Sequence, residues 1–123
     1  MSKPKKDEIR EHRIMMEIIV DAYGAEEQAM GWYYYLEDTL NFPFTAKCVV
    51  KRAVSPLKVG DEIEILSMAP GEECQQEMFV MMPWEKEGLA VPLMQFEVVH
   101  GDEQTCEAVG DWHYWVCRGY TFG

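Results

Sequence analysis

The spacing of apolar residues changes period at Phe42, and this switch constrains the fold of the 123-residue chain more than any other feature. Before it, apolar residues recur three and four positions apart, the stride of a helix. After it, Phe44, Ala46, Cys48 and Val50 alternate with Thr45, Lys47 and Lys51, the period of a half-buried strand. A chain that begins helical and continues in strands keeps its helices apart from its sheet, which places it in the α+β class.

The helical part divides in two. Ile14 and Ile18, widened by Met15 and Ile19, predict a helix from Asp7 to Tyr23 that stops at Gly24. The first six residues read as a basic tail. Ala25, Ala29, Trp32, Leu36 and Leu40 mark the buried stripe of a second helix, Ala25 to about Leu40. Then "PLKVGD" turns the chain into a strand with Ile63 and Ile65 on one face and Glu62 and Glu64 on the other. A hairpin that turns at Lys86 to Gly88 follows, with Met78, Val80 and Met82 marking one face, Leu89, Val91 and Leu93 another, and Pro83 and Pro92 demoting those strand ends to edges or bends. Four short strands between turn signals predict a small SH3-like antiparallel β-barrel. Trp112, Trp115 and Val116 recur at helical spacing and predict a short C-terminal helix, with Asp111 as its candidate cap. The expected organisation is one domain over residues 1–123, with N-terminal helices in 1–40, the barrel in 42–99 and the C-terminal helix in 107–120.

Charge narrows the function classes. The chain carries 22 Asp and Glu against 11 Lys and Arg, a net charge of −11. Such a surface repels phosphate backbones and anionic membranes, so neither nucleic acid nor a membrane is an expected partner. Cations and basic protein patches are attracted. No apolar run is long enough to span a bilayer, and no signal core follows the N-terminal lysines, so a cytoplasmic location is expected.

Catalytic patterns are thin. Cys48, Cys74, Cys106 and Cys117 form no CxxC pair, and scattered cysteines in such a chain are ordinarily small buried residues. Cys106, His113 and Cys117 are the one spacing with any metal-ligand character. His12, His100 and His113 have no nucleophile at a recognisable spacing, and neither a Walker A loop nor a dinucleotide fingerprint is present. The expectation is a protein that is not an enzyme.

The carboxylates carry more information. Glu37 and Asp38 fall in the last turn of the second helix, where negative charge opposes the helix dipole at a cost of about 0.3–1 kcal/mol each. A bound cation reverses that penalty, and the carbonyls of a helix C-terminus add neutral oxygens. Calcium takes about 6–8 oxygens, so other ligands must come from loops or water. The acidic loops are those with Asp61 and Glu62, with Glu72 and Glu73, and with Asp102 and Glu103. No EF-hand loop is present, so a calcium site must be assembled from separated segments. The competing reading is that each acidic pair is a solvated turn or helix face.

"WYYYLEDTLNFPFTAKC", "SPLKVGDEIEILSMAP", "EMFVMMPWEKEGLAVPL" and "DWHYWVCRGY", taken in order, resemble the small bacterial calcium-binding proteins first described in cyanobacteria. The resemblance spans roughly Trp32 to Tyr120. It implies calcium binding on an acidic surface without an EF-hand, in a buffering or signalling role, with Asp38 as a ligand and Glu37 as a second candidate. Asp61, Glu62, Glu72, Glu73, Asp102 and Glu103 remain candidates from spacing alone. The helix from Asp7 to Tyr23 lies outside the resemblance, and both dimerisation and packing as an extra arm are open to it. The alternative function is a metal-independent SH3-like module that binds a partner protein through the barrel and exposed tyrosines.

Overall fold

A computed structural model describes residues 5–122, so most of the basic tail expected over residues 1–6 lies outside the described residues. The elements are α1 (Glu8–Arg13), α2 (Ala25–Thr39), β1 (Phe44–Cys48), β2 (Glu62–Ile65), β3 (Ser67–Met68), β4 (Phe79–Met82), β5 (Leu89–Pro92), β6 (Phe96–His100) and α3 (Glu103–Cys117). Short 3₁₀ turns cover Gly71–Cys74 and Leu93–Gln95. The α+β class stands, with helices at both ends of the chain and strands between.

The strands form two three-stranded antiparallel sheets, β2-β1-β6 and β3-β4-β5. The expected alternation holds through β1, where Phe44, Ala46 and Cys48 are buried while Lys47 is exposed and stands opposite Glu62, but Val50 lies beyond the strand and is exposed. Met78, Val80 and Met82 are also buried. The expectation of four strands is corrected to six, and no closed barrel forms among the described residues. Local alternation sets which face a residue takes but not which strands pair, and β2 and β3 are separated by Leu66 alone.

The first helix is shorter than its pattern. α1 is capped by Asp7, which accepts the Arg10 backbone N–H at 3.0 Å. After Arg13 the coil widens into one π-helical segment, Ile14–Ile18, which buries both of those isoleucines. Asp21 then takes a left-handed backbone with φ 59° and ends the element before Tyr23. Gly24 is therefore not a stop; it is the N-cap of α2.

α3 differs in the other direction. It starts at Glu103, before the expected 107, and ends at Cys117, and its cap is Asp102, which accepts the Thr105 N–H at 2.8 Å. Asp111 is not a cap. It is fully buried inside α3 and accepts Arg10 Nη1 at 2.8 Å, Arg13 Nη2 at 2.7 Å, Arg13 Nε at 2.9 Å and Tyr35 Oη at 3.1 Å. The latch joins α1, α2 and α3. Gly110 permits it, because a Cβ there would stand 2.9 Å from Arg10 Nη1. Beside it Tyr114 Oη accepts the Asp7 N–H at 2.8 Å and donates to Glu11 at 2.7 Å. The N-terminal segment is thus an arm packed on α3.

Under the arm, Trp32 of α2 meets Trp112 and Trp115 of α3 with ring centroids 5.0 and 5.6 Å apart. These rings belong to a buried cluster that continues through Leu36, Phe44, Ile65, Val80 and Phe96, so both sheets and both long helices share one core.

His113 reports on the packing of α3 against β6. Burial lowers its pKa below the usual 6.5, an effect only partly offset by the carbonyls of Phe96 and Leu93 and the charge of Glu97. A base weakened by folding binds its proton more readily in the unfolded chain, so stability is full above about pH 6.5 and falls as the pH drops through the lower folded value. Melting curves between about pH 5 and 7 should show this slope, and His113→Gln should flatten it relative to the native chain. An unaltered slope in the variant would assign the pH dependence to the carboxylates.

Candidate metal centre

The C-terminal end of α2 is where the two acidic residues of greatest interest separate. Glu37 and Asp38 are adjacent, exposed and in the last turn of the helix, so they diverge around its axis. Glu37 lies toward Tyr33, whose phenol is raised first by desolvation and then by the Glu37 charge and hydrogen bond, with a smaller effect from Cys74. Asp38 lies on the other side, in an open groove of about 440 Å³ shared with Glu17, Ile18, Gly31, Tyr34, Tyr35 and Thr39.

This groove is the seam between the arm and α2. Its walls approach closely because residue 31 is glycine: a Cβ there would stand 2.5 Å from the Ile18 carbonyl oxygen. Glu17 therefore joins Asp38 across a contact that only the folded arm creates. Sequence reasoning did not single out Glu17. The available signal was Gly31, a glycine inside a helix, which often marks close backbone approach.

The other candidates are spread over the surface. Asp61 accepts the Lys58 N–H at 2.9 Å and closes the turn before β2. Glu62 opens β2 and is exposed. Glu72 and Glu73 are exposed in the 3₁₀ turn Gly71–Cys74, which packs against α2. Asp102 caps α3 and also accepts the Asn41 side-chain amide, while the Asn41 backbone N–H donates to Thr105 Oγ1 at 3.0 Å. Hydrogen bonds from Thr105 first, and then Asn41, lower the Asp102 pKa. Asn41 thus ties the end of α2 to the start of α3, with exposed Glu103 in the first turn of that helix.

Among the described residues, no three His, Cys, Asp or Glu side chains converge as a ready metal cage. Cys106, His113 and Cys117 accordingly do not gather around one point, and both cysteines are exposed. The Asp38 groove nonetheless suits a hard cation. Of its polar side chains, Glu17, Asp38, Thr39 and Tyr34 offer oxygen, Tyr35 Oη is already given to Asp111, and the Ile18 carbonyl lies at its wall. Two carboxylates with neutral oxygens and access to water match the needs of calcium and offer no soft ligand.

A small α+β fold with an acidic surface groove of oxygen-bearing side chains has the chemistry of a cation binder. Comparison with known proteins gives the family. Residues 12–116 match the model of the CcbP family, described as calcium binding. Anabaena CcbP, a crystal structure, matches with a TM-score of 0.86 and 45% identity over 99% of this chain and 100% of that one. A calcium-binding protein in its calcium-binding form matches with a TM-score of 0.85 and 44% identity, again over 99% and 100% of the two chains. No curated protein sequence matches. The chain belongs to the CcbP family of calcium-binding proteins.

Proposed function

We propose that this protein binds calcium at the C-terminal end of α2, with Asp38 and Glu17 as carboxylate ligands in the groove and water completing the shell. The observation that carries this reading is that both carboxylates line one groove whose polar side chains carry oxygen and no nitrogen or sulfur. Glu37 adds negative field from the adjacent side of the same turn. Glu72 and Glu73, in the turn packed on α2, and Asp102 and Glu103, at the helix start tied to Asn41, are candidates for further or water-mediated ions. Asp61 and Glu62 lie at the β2 end of the outer sheet and form the most separate candidate.

The chemistry is charge neutralisation. Negative charge at a helix C-terminus is unfavourable until a cation joins it, and the ion also bridges the arm to α2. A hydrated site with few protein ligands suits reversible buffering or signalling rather than permanent structural binding. The whole chain then acts as one domain. Its two sheets are read as halves of an open SH3-like barrel, with the chain from β2 to β3 bending at Leu66 to serve both.

Calcium should raise the melting temperature. At a concentration about 100 times the dissociation constant the gain is about 2.7 kcal/mol. Asp38→Ala and Glu17→Gln should each remove most of that gain while changing the calcium-free melt little, since both side chains are exposed. Calorimetry with calcium and then magnesium measures affinity and preference. Unaltered calcium affinity in both variants would place the ion elsewhere.

A further inference from the structure

The outward side of the N-terminal arm carries a set of exposed apolar side chains. Ile14 and Ile18 face the core, which turns Met15 and Met16 to solvent. Ile9 in α1 and Val20 in the turn after the π-helical segment are exposed as well, at 75% and 50%. Scattered exposed hydrophobics are ordinary, but four within twelve residues of one arm are less so.

The charges around this set have one sign. From Ile14 to Ala46 the sequence has six carboxylates, Glu17, Asp21, Glu26, Glu27, Glu37 and Asp38, and no Lys or Arg. The arginines of the arm, Arg10 and Arg13, are turned onto buried Asp111. Lys5 and Lys6 precede Ile9 in the sequence. An apolar rail with acidic flanks rejects an anionic membrane or a nucleic acid. It also disfavours a second copy, because each carries a net charge of −11.

We propose that this rail is a docking surface for a basic amphipathic helix of a partner protein, with apolar anchors on Met15, Met16 and Val20 and Lys or Arg side chains meeting Asp21, Glu26 and Glu27. Four exposed apolar side chains within twelve residues, Ile9, Met15, Met16 and Val20, offer several anchors to a docked helix. Methionine supplies an adaptable contact that tolerates different apolar side chains. This inference goes beyond the calcium reading and does not depend on it.

The test is fluorescence anisotropy with a labelled Leu/Lys peptide of about 18 residues, its leucines at helical spacing, in chelator and near-physiological salt. A control peptide of the same composition, scrambled to remove the apolar face, separates docking from simple charge attraction. The designed peptide should bind at least about tenfold more tightly than the scrambled one. The double variant Met16→Ser, Val20→Ser should erase that difference. Asp21→Asn with Glu27→Gln should weaken binding and flatten its salt dependence. All four side chains are exposed, so the variants should melt like the native chain. Equal binding of the two peptides, or full binding by the serine variant, would overturn the proposal. A dimer in sedimentation that the serine variant abolishes would assign the rail to a second copy, and co-flotation with anionic vesicles would assign it to a lipid surface.

Discussion

Replacing Asp111 with alanine should destabilise the protein by about 3–5 kcal/mol, because it leaves two arginines facing a buried site with no counter-charge. The carboxylate is fully buried and accepts four hydrogen bonds, three from guanidinium groups and one from Tyr35. Its influence runs both ways: hydrogen bonding to Asp111 raises the Arg13 pKa, while desolvation first and then the Asp111 charge raise that of Tyr35. A loss of this size in a chain of this length corresponds to a fall in melting temperature of roughly 10–20 °C. Asp111→Asn keeps much of the shape but loses the charge, and should fall between the two. The arm should also loosen in Asp111→Ala before the core does, so trypsin should cut after Arg10 and Arg13 faster than in the native chain. A melting shift of only a degree or two, with unchanged cleavage, would show that the latch contributes little.

Gly31→Ala should be the second most damaging substitution, against the expectation from helix propensity. Alanine in a helix interior is favoured over glycine by about 1 kcal/mol. At this position, however, the new Cβ would stand 2.5 Å from the Ile18 carbonyl oxygen, a backbone atom that cannot move alone. Overpacking of this kind typically costs about 1–3 kcal/mol, so the clash should outweigh the propensity gain. Lifting Ile18 off α2 also separates Glu17 from Asp38, so calcium affinity should fall together with stability. Gly71→Ala is the matched control, since only Met30 Cε approaches its Cβ position, at 4.0 Å. If Gly31→Ala proved as stable as the native chain and bound calcium equally well, the arm would not be a wall of the site.

Local periodicity made much of the fold legible. Ala29, Trp32, Leu36 and Leu40 are buried as their spacing required, although Ala25 at the head of that stripe is exposed, and Ala46, Cys48 and Val80 are buried as theirs did. Periodicity was silent where contacts across the chain decide the outcome. Nothing near Ile14 announces a π-helical turn, which forms where both isoleucines reach the core under Trp32 and Leu36. Gly110 next to Asp111 reads as a turn and a cap, yet the two residues sit inside a helix because Arg10 and Arg13 arrive from the other end of the chain. The same limit applies to the proposed calcium site. Asp38 stood out because a carboxylate at a helix C-terminus is locally unfavourable. Glu17 did not, because its position opposite Asp38 exists only after the arm has packed at Gly31.

The latch also fixes an order of assembly. Arg13 and Asp111 are 98 residues apart in sequence, so all of the chain between them must leave the ribosome before the arm finds its counter-ion. Until then the arm is a short nascent helix with an apolar side and no place to settle, a form in which short helices are marginal in water. The arm is made before α3 and secured only after it, and any chaperone that tends the emerging chain meets that segment while it is still loose.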